Sequence, residues 1–380
     1  MNDRLHNPFV IVGDIPEPYF CDREKETQKL AQGLINESNI VLISPRRMGK
    51  SKLVRHCYNQ PELKDGYYTF YIDLLHTTSL REFTYTFGKA IFDQLKSRSE
   101  KTVLTLVQTL RSLAGTFGFD AMTNMPTFAL ELGRISQPEY TLSEIFEWME
   151  NADKPCIVCF DEFQRISTYP DNKQGAIEAL LRGHIQHLRN SHYIFSGSER
   201  HLLTEMFYSQ AKPFYNSASQ LNLKAIDKDK YLGFADHWMN EYGKQLDADA
   251  LGKYYDLFEG TTYYLQKMMH EAFAQCPSGE TCTKALLDKV YQEMLEEMHD
   301  TFLNALGRLS DKQKDVLYAI AREEHATRIM SAAFIRKHAL PTPSMVQTAV
   351  SKLLDEEIIH VSDGTYSVSD VLFRRFLQQM

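Results

Sequence analysis

The 380-residue chain predicts an α/β fold, a parallel sheet sandwiched by helices, followed by an all-helical stretch and a small module of helices and a β-ribbon. Three observations carry that expectation. Between Asn39 and Gly197 four short apolar runs alternate with helical patterns, an order that a buried parallel sheet covered on both faces satisfies most simply. From Asp227 to about Leu306 only helical periodicity remains. After Ser310 helices mix with a pair of strand-like runs, Ile358 to Val368.

Taken in order, Asn39 to Ser44 (NIVLIS) is a β-branched run that ends at a proline-containing loop and leads into a helical stretch, Gly49 to Asn59. Tyr67 to Asp73 reads as a second strand and Ser79 to Lys96 as a long helix. Cys156 to Asp161 is a third strand, Gln174 to Arg189 a helix and His192 to Gly197 a fourth strand. Between the second and third strands, Lys101 to Leu113 is helical, and Thr116 to Leu132 alternates apolar and polar residues as a hairpin does. Further helices are expected near Lys228 to Tyr242, Asp247 to Phe258, Thr262 to Gln275 and Thr283 to Leu303. In the tail Ser310 is placed to cap a helix, Thr327 to Lys337 and Ser344 to Glu356 give two more, and the ribbon turns at Asp363-Gly364. Three helices and a ribbon make a winged helix. The expected domains are 1–225, 226–306 and 307–380.

Apolar residues at 43% and charged residues at 24% exclude a disordered chain. With 42 Lys and Arg against 50 Asp and Glu, the net charge of −8 excludes an all-over basic surface for nucleic acid and leaves room for a local basic patch. No run of residues is apolar and long enough to cross a membrane, and Met1 to Pro16 lacks the pattern of a signal peptide, so a cytoplasmic protein with no membrane partner is expected. Six cysteines are too few for a disulfide framework at this length. Cys156 and Cys159 form a C-x-x-C, yet strand alternation points residues three apart to opposite faces, so they cannot share one ion.

The chemistry concentrates at Ser44-Pro45-Arg46-Arg47-Met48-Gly49-Lys50-Ser51, which matches G-x-x-x-x-G-K-[ST] except that Ser44 stands for the first glycine. In such a loop the backbone N–H groups of the loop and of the first helical turn converge on the β-phosphate, Lys50 neutralises β and γ oxygens, and Ser51 takes a position on Mg²⁺. Gly49 leaves room for close backbone approach. The tripeptide alone is weak evidence; its position between a strand and a helix strengthens it. So does Cys156 to Glu162, where Asp161 and Glu162 follow an apolar strand, at the carboxyl end where open α/β sheets bind ligands. Asp161 is placed to hold Mg²⁺ through a water, and Glu162 to orient a water toward the γ-phosphate. The bland alternative is a solvated acidic pair. Asp73, ending the second strand, either adds a hydrogen bond near the metal or closes its own turn.

These segments together, Tyr19 to Glu26 (YFCDREKE), Ser44 to Ser51 (SPRRMGKS), Phe160 to Ile166 (FDEFQRI) and Phe195 to Leu203 (FSGSERHLL), resemble the archaeal-type P-loop ATPases, relatives of the AAA+ and STAND groups. The resemblance implies a nucleotide-binding α/β domain, a helical lid and a C-terminal winged helix, with ATP and Mg²⁺ as ligands. It implies that the segment with Phe20 and Arg23 lies near the adenine, and that Pro45, Arg46, Arg47, Met48, Gly49, Lys50, Ser51 and Lys52 bind the phosphates. Ser196 or Ser198 would be the polar sensor beside the γ-phosphate, Ser198 being assigned to catalysis with Glu162 and Lys50. The start of a lid helix at Phe258 to Leu265 resembles the family's glycine-bearing helix start, with Thr262 as its cap. Two departures stand out. Ser44 replaces a glycine at the loop entrance, and Pro213-Phe214-Tyr215-Asn216 is followed by Ser217 where the family often carries an arginine. Arg46, Arg47, Arg165 and Arg200 are the local alternatives, as is an arginine from a second copy in a homo-oligomer.

The reading is therefore a Mg²⁺-dependent ATPase that couples nucleotide state to movement of lid and winged helix. Two alternatives stay open, a slow-turnover STAND-like switch that docks a protein partner and a DNA-binding AAA+-like factor. From Arg308 onward ten basic residues face nine acidic ones, and the candidate recognition helix, with Gln347, Thr348, Ser351 and Lys352, ends in Asp355-Glu356-Glu357. That charge favours protein docking over DNA. A nucleoside kinase is disfavoured by the downstream Asp-Glu pair, and GTP by the lack of an N-K-x-D-like motif.

Overall fold

The computed structural model describes residues 6–96, 100–110, 112, 117–119, 126–128, 135–323, 325–362 and 364–380. The chain divides into two compact units, one of residues 23–45 and 49–224, the other of residues 1–22, 46–48 and 225–380.

The first unit holds the predicted parallel sheet and a separate strand pair; among the described residues its strands in chain order are β1 (Ile40–Ile43), β2 (Tyr68–Asp73), β3 (Phe117–Phe119), β4 (Pro126–Phe128), β5 (Cys156–Asp161), β6 (Ser191–Gly197) and β7 (Ser219–Asn222). The main sheet runs β2-β5-β6-β1-β7, all pairs parallel. β1, β5 and β6 are buried along their whole length, which is why they read as continuous apolar runs and not as alternation. Alternation still sorts their side chains by face. Val41, Val158, Phe160, Tyr193 and Phe195 pack with the helices Leu80–Lys96 and Pro138–Glu150. Ile40, Leu42, Ile157, Cys159 and Ile194 pack with α1 (Glu24–Ile35) and α2 (Lys50–Tyr58). Cys156 and Cys159 fall in these two different clusters, as the C-x-x-C reading required, and burial pushes the Cys159 thiol well above its usual value. At the centre of the first face, the fully buried Phe160 ring meets Phe83 at 5.3 Å and Phe87 at 5.1 Å, contacts worth about 0.5–1.5 kcal/mol each beyond area burial.

The edge strand β7 was not among the predicted elements. Its sequence, SQLN, is mostly exposed, so no apolar run announces it; pairing to β1 creates it. Among the described residues of this unit four helices, Glu24–Ile35, Pro61–Gly66, Pro138–Glu150 and Arg200–Tyr208, were also unpredicted. The first begins after Arg23 in a left-handed conformation, φ +78°, in place of a Ser, Thr, Asp or Asn cap. The helix predicted over Lys101 to Leu113 is observed as Glu100–Thr109. The predicted hairpin appears as the antiparallel pair β3 and β4, and residues 113–116, 120–125 and 129–134 lie outside the described residues.

The second unit carries the predicted helices Lys228–Glu241, Ala248–Leu257, Thr262–Gln275 and Lys284–Gly307. Asp227, Asp247 and Thr283 cap three of them by side-chain hydrogen bonds. The third is capped at Thr261, so Thr262 is its first helical residue and its Oγ1 is buried without a partner; the predicted cap is one residue off. The winged helix follows: Asp311–Arg322 opens on a Ser310–Gln313 capping box, as expected, and Ile359–Ser362 pairs antiparallel with Thr365–Val368. Asp363, half of the predicted turn, lies outside the described residues. The helix predicted over Thr327 to Lys337 is shorter, Ala332–Lys337. Ala326–Thr327 pairs instead with Thr365–Tyr366 as a third strand, and Arg328 at φ +49° separates the two. A final helix, Val371–Gln379, capped by Asp370, was not predicted. Among the described residues no helix is long and apolar enough to cross a membrane.

Candidate active site

The parallel register sets the carboxyl ends of four strands side by side. Ile43 at the end of β1 lies opposite Gly197, Phe160 opposite Phe195, and Asp161 opposite Asp73. The loop after β1 therefore opens beside the carboxylates that end β5. Ser44 is buried, and its Oγ donates to the Pro45 carbonyl at 3.0 Å. Positive φ occurs in this loop at Arg47, +66°, and Gly49, +85°, and not at Ser44. Serine thus meets no backbone strain at the loop entrance, whereas the left-handed turn into α2 asks for glycine at 49.

At the start of α2, Lys50 is 8% exposed, and its Nζ lies 3.0 Å from Asp161 Oδ1 and 3.2 Å from Glu162 Oε1. Ser51 Oγ donates to Asp161 Oδ2 at 3.2 Å. Ser196 Oγ donates to Asp161 Oδ1 at 2.8 Å, and the Glu162 backbone N–H reaches the same oxygen at 3.1 Å. Tyr71, on β2, donates its hydroxyl to Asp161 Oδ2. Burial by itself would raise the pKa of Asp161; the charge of Lys50, with hydrogen bonds from Tyr71, Lys50 and Ser196, outweighs it and holds the carboxyl below its usual value of 3.8. Asp161 is an anion at neutral pH.

Glu162 sits at φ +52°, a left-handed conformation costly for a non-glycine residue. Its Oε2 accepts from the Ser198 backbone N–H at 3.1 Å, from Ser198 Oγ at 2.9 Å and from Gln164 Nε2 at 2.6 Å. Gln164 is 1% exposed, and its Oε1 lacks a partner. The amide fits because residue 197 is glycine: a Cβ there would fall 2.0 Å from Gln164 Oε1 and 2.8 Å from Leu203 Cδ1. Gly197→Ala should therefore expel the Gln164 side chain and destabilise the protein by about 1–3 kcal/mol. Denaturant unfolding measures this; a variant as stable as the wild type would show that the amide is not locked.

Of the residues singled out from the sequence, Lys50, Ser51, Asp161, Glu162 and Ser198 converge in this cluster. Pro45 is exposed, Met48 buried and Lys52 half-buried. The side chains of Arg46 and Arg47 are engaged by acids of the second unit, Arg46 by Glu357 and Arg47 by Asp370, with Tyr264 also bonded to Arg47. Phe20 belongs to that second unit. Arg23 is buried in the first, where its guanidinium donates to the Lys224 carbonyl at 2.7 Å and to Glu26 at 3.1 Å. Asp73 accepts from the Leu75 backbone N–H at 2.9 Å and so closes its own turn. Tyr71 and the contact of Gln164 with Glu162 were missed. The signal for Tyr71 was the strand period of two, which puts it on the same face as Asp73.

A family model described as an ATPase domain predominantly from Archaea matches residues 20–268, and one described as a probable winged helix domain matches residues 300–379. Among curated protein sequences none matches. Among solved structures, the Walker-type ATPase of Pyrococcus abyssi is similar over 98% of this chain and 99% of its own, with TM-score 0.69 and 21% identity. The ORC2 protein of Aeropyrum pernix, in ADPNP–ADP complexes, is similar over 98% and 97%, with TM-score 0.61 and 13% identity. The Aeropyrum pernix ORC1 protein, in complex with DNA, is similar over 98% and 96%, with TM-score 0.50 and 14% identity. At these identities the likeness is one of fold.

Proposed function

The chain belongs to the family of ATPase domains found predominantly in Archaea, and from that premise we propose that it binds ATP with Mg²⁺ and hydrolyses the β,γ-phosphoanhydride with water. The observation that supports this most directly is the convergence of Lys50, Ser51, Asp161 and Glu162 within hydrogen-bonding distance of one another. One carboxylate and one hydroxyl, 3.2 Å apart and both oxygen donors, suit Mg²⁺, which keeps waters and takes its remaining ligands from phosphate. Bound there, Mg²⁺ would supply charge stabilisation for the oxygens of the transferring phosphoryl group. Lys50 stabilises the same developing charge from the helix start, the loop amides orient the phosphates, and Glu162 orients the attacking water. Ser198 fixes the Glu162 carboxylate through Oε2. The segments 226–306 and 307–380 act as lid and winged helix that respond to the nucleotide.

Both oxygens of Glu162 are engaged, Oε1 by Lys50 and Oε2 by Ser198 and Gln164. That favours slow or partner-dependent turnover and supports, as a second reading, a nucleotide switch. On the winged helix, Gln347, Thr348, Ser351 and Lys352 are exposed along Pro343–Asp355, open to a protein or a DNA duplex. The near-neutral charge of the module supports the protein; the DNA complex of the Aeropyrum pernix ORC1 fold supports the duplex.

Calorimetric titration with ATP, with and without Mg²⁺, together with phosphate release measured against protein concentration and added duplex, tests the proposal. Metal-dependent release is expected. ATP binding with release no faster than that of Glu162→Gln selects the switch, and absence of ATP binding overturns both readings. Salt-dependent duplex binding lost on deleting residues 308–380 would assign the tail to DNA.

A further inference from the structure

Among the described residues, Tyr71 is the aromatic hydroxyl that donates to Asp161, the carboxylate read above as holding the metal. It reaches Asp161 Oδ2 directly from the neighbouring strand, on the oxygen to which Ser51 Oγ also donates. The two carboxylate oxygens of Asp161 have different company. Oδ1 is occupied by Ser196, Lys50 and the Glu162 backbone N–H. Oδ2 faces Ser51 and Tyr71. The ring is itself held: it lies on the α1–α2 side of the sheet with Tyr67, and the Arg55 guanidinium of α2 sits 4.8 Å from its centroid. Arg55 is on the helix that also carries Lys50 and Ser51, so helix, ring and carboxylate are tied in one chain of contacts.

We propose that Tyr71 is a positioning residue of the divalent-cation site, whose hydroxyl fixes the Asp161 oxygen that Ser51 also contacts. The inference rests on the reading of this cluster as a metal–nucleotide site. A carboxylate with one oxygen bound by Ser196 and Lys50 can still rotate about its terminal bond, and a donor on the second oxygen removes that freedom. A phenol donates one proton and keeps its lone pairs, so while bonded to Asp161 it can still accept from a water. Phenylalanine would keep the ring and its contact with Arg55 and lose only the hydroxyl.

The experiment compares full-length wild type and Tyr71→Phe. ADP affinity is measured by calorimetry in EDTA, and Mn²⁺ binding in saturating ADP is followed by electron paramagnetic resonance. The expected result is ADP affinity in EDTA within about twofold of wild type and half-saturating Mn²⁺ raised about 10-fold or more, the usual effect of removing a group that orients a ligand. Rescue by raised Mn²⁺ should restore the wild-type spectrum. Unchanged Mn²⁺ affinity, or an equal loss of metal-free ADP affinity, overturns the proposal and leaves Tyr71 a packing residue. Failure of the wild type itself to bind ADP or Mn²⁺ overturns the site reading, and is distinguished by appearing before any substitution is made.

Discussion

Glu162→Gln should reduce phosphate release about 10²- to 10⁴-fold, the range for a positioned general base, while leaving ATP affinity within a few-fold of wild type. Glutamine preserves the shape, so the left-handed backbone at residue 162 and the contacts with Ser198 are retained. What is lost is the negative charge that, in the proposed mechanism, polarises the water. The side chain also stops pairing with Lys50, 3.2 Å away in the wild type, which frees the ammonium for phosphate and excludes any large loss of binding. Single-turnover phosphate release and equilibrium binding, measured on the same preparation, separate the two effects. Turnover equal to wild type would remove Glu162 from the chemistry.

Lys50→Ala carries the other large expectation, because one buried ammonium answers two carboxylates. Asp161 and Glu162 side chains are 9% and 16% exposed. Removing a hydrogen-bonding cation that contacts phosphate should weaken ATP binding by about 30- to 150-fold, equivalent to about 2–3 kcal/mol. Stability should fall as well, by about 3 kcal/mol at neutral pH, since the acids are left in a site of low polarisability without their partner. The pH dependence has a definite sign. In the wild type the folded pKa of Asp161 is depressed below 3.8, so its contribution is complete above that value and is lost as the pH falls through the folded pKa. In the variant the lowering by Lys50 is lost while burial still acts upward, so the stability that Asp161 contributes above 3.8 is reduced. The gap between the two proteins therefore widens from acid to neutral pH. Urea unfolding at pH 4 and pH 7 reads it; a gap independent of pH would mean that Lys50 does not govern Asp161.

Much of the nucleotide-binding half was legible in the residues because its signals are local. The run NIVLIS, the turn at Gly49 and the apolar approach to Asp161-Glu162 each occupy fewer than a dozen consecutive residues, and each formed the expected element. β7 was illegible for the opposite reason. SQLN has no strand pattern and becomes one only because β1 offers an open edge. Ala326–Thr327 behaves likewise, being drawn out of a helical pattern by the ribbon strand Thr365–Val368.

The amino-acid order by itself determined the phosphate loop, the acidic pair and the parallel α/β fold with a winged helix behind it, because these depend on period and spacing along a short stretch of chain. Only the tertiary structure decided that Tyr71 and not Asp73 meets Asp161, that Ser198 and Gln164 hold Glu162, and that Gly197 makes room for an amide. All but the contact of Gln164 with Glu162 join segments that are far apart in sequence. Parallel register and the side-chain alternation within each strand set which residues meet, and neither can be read from one strand alone.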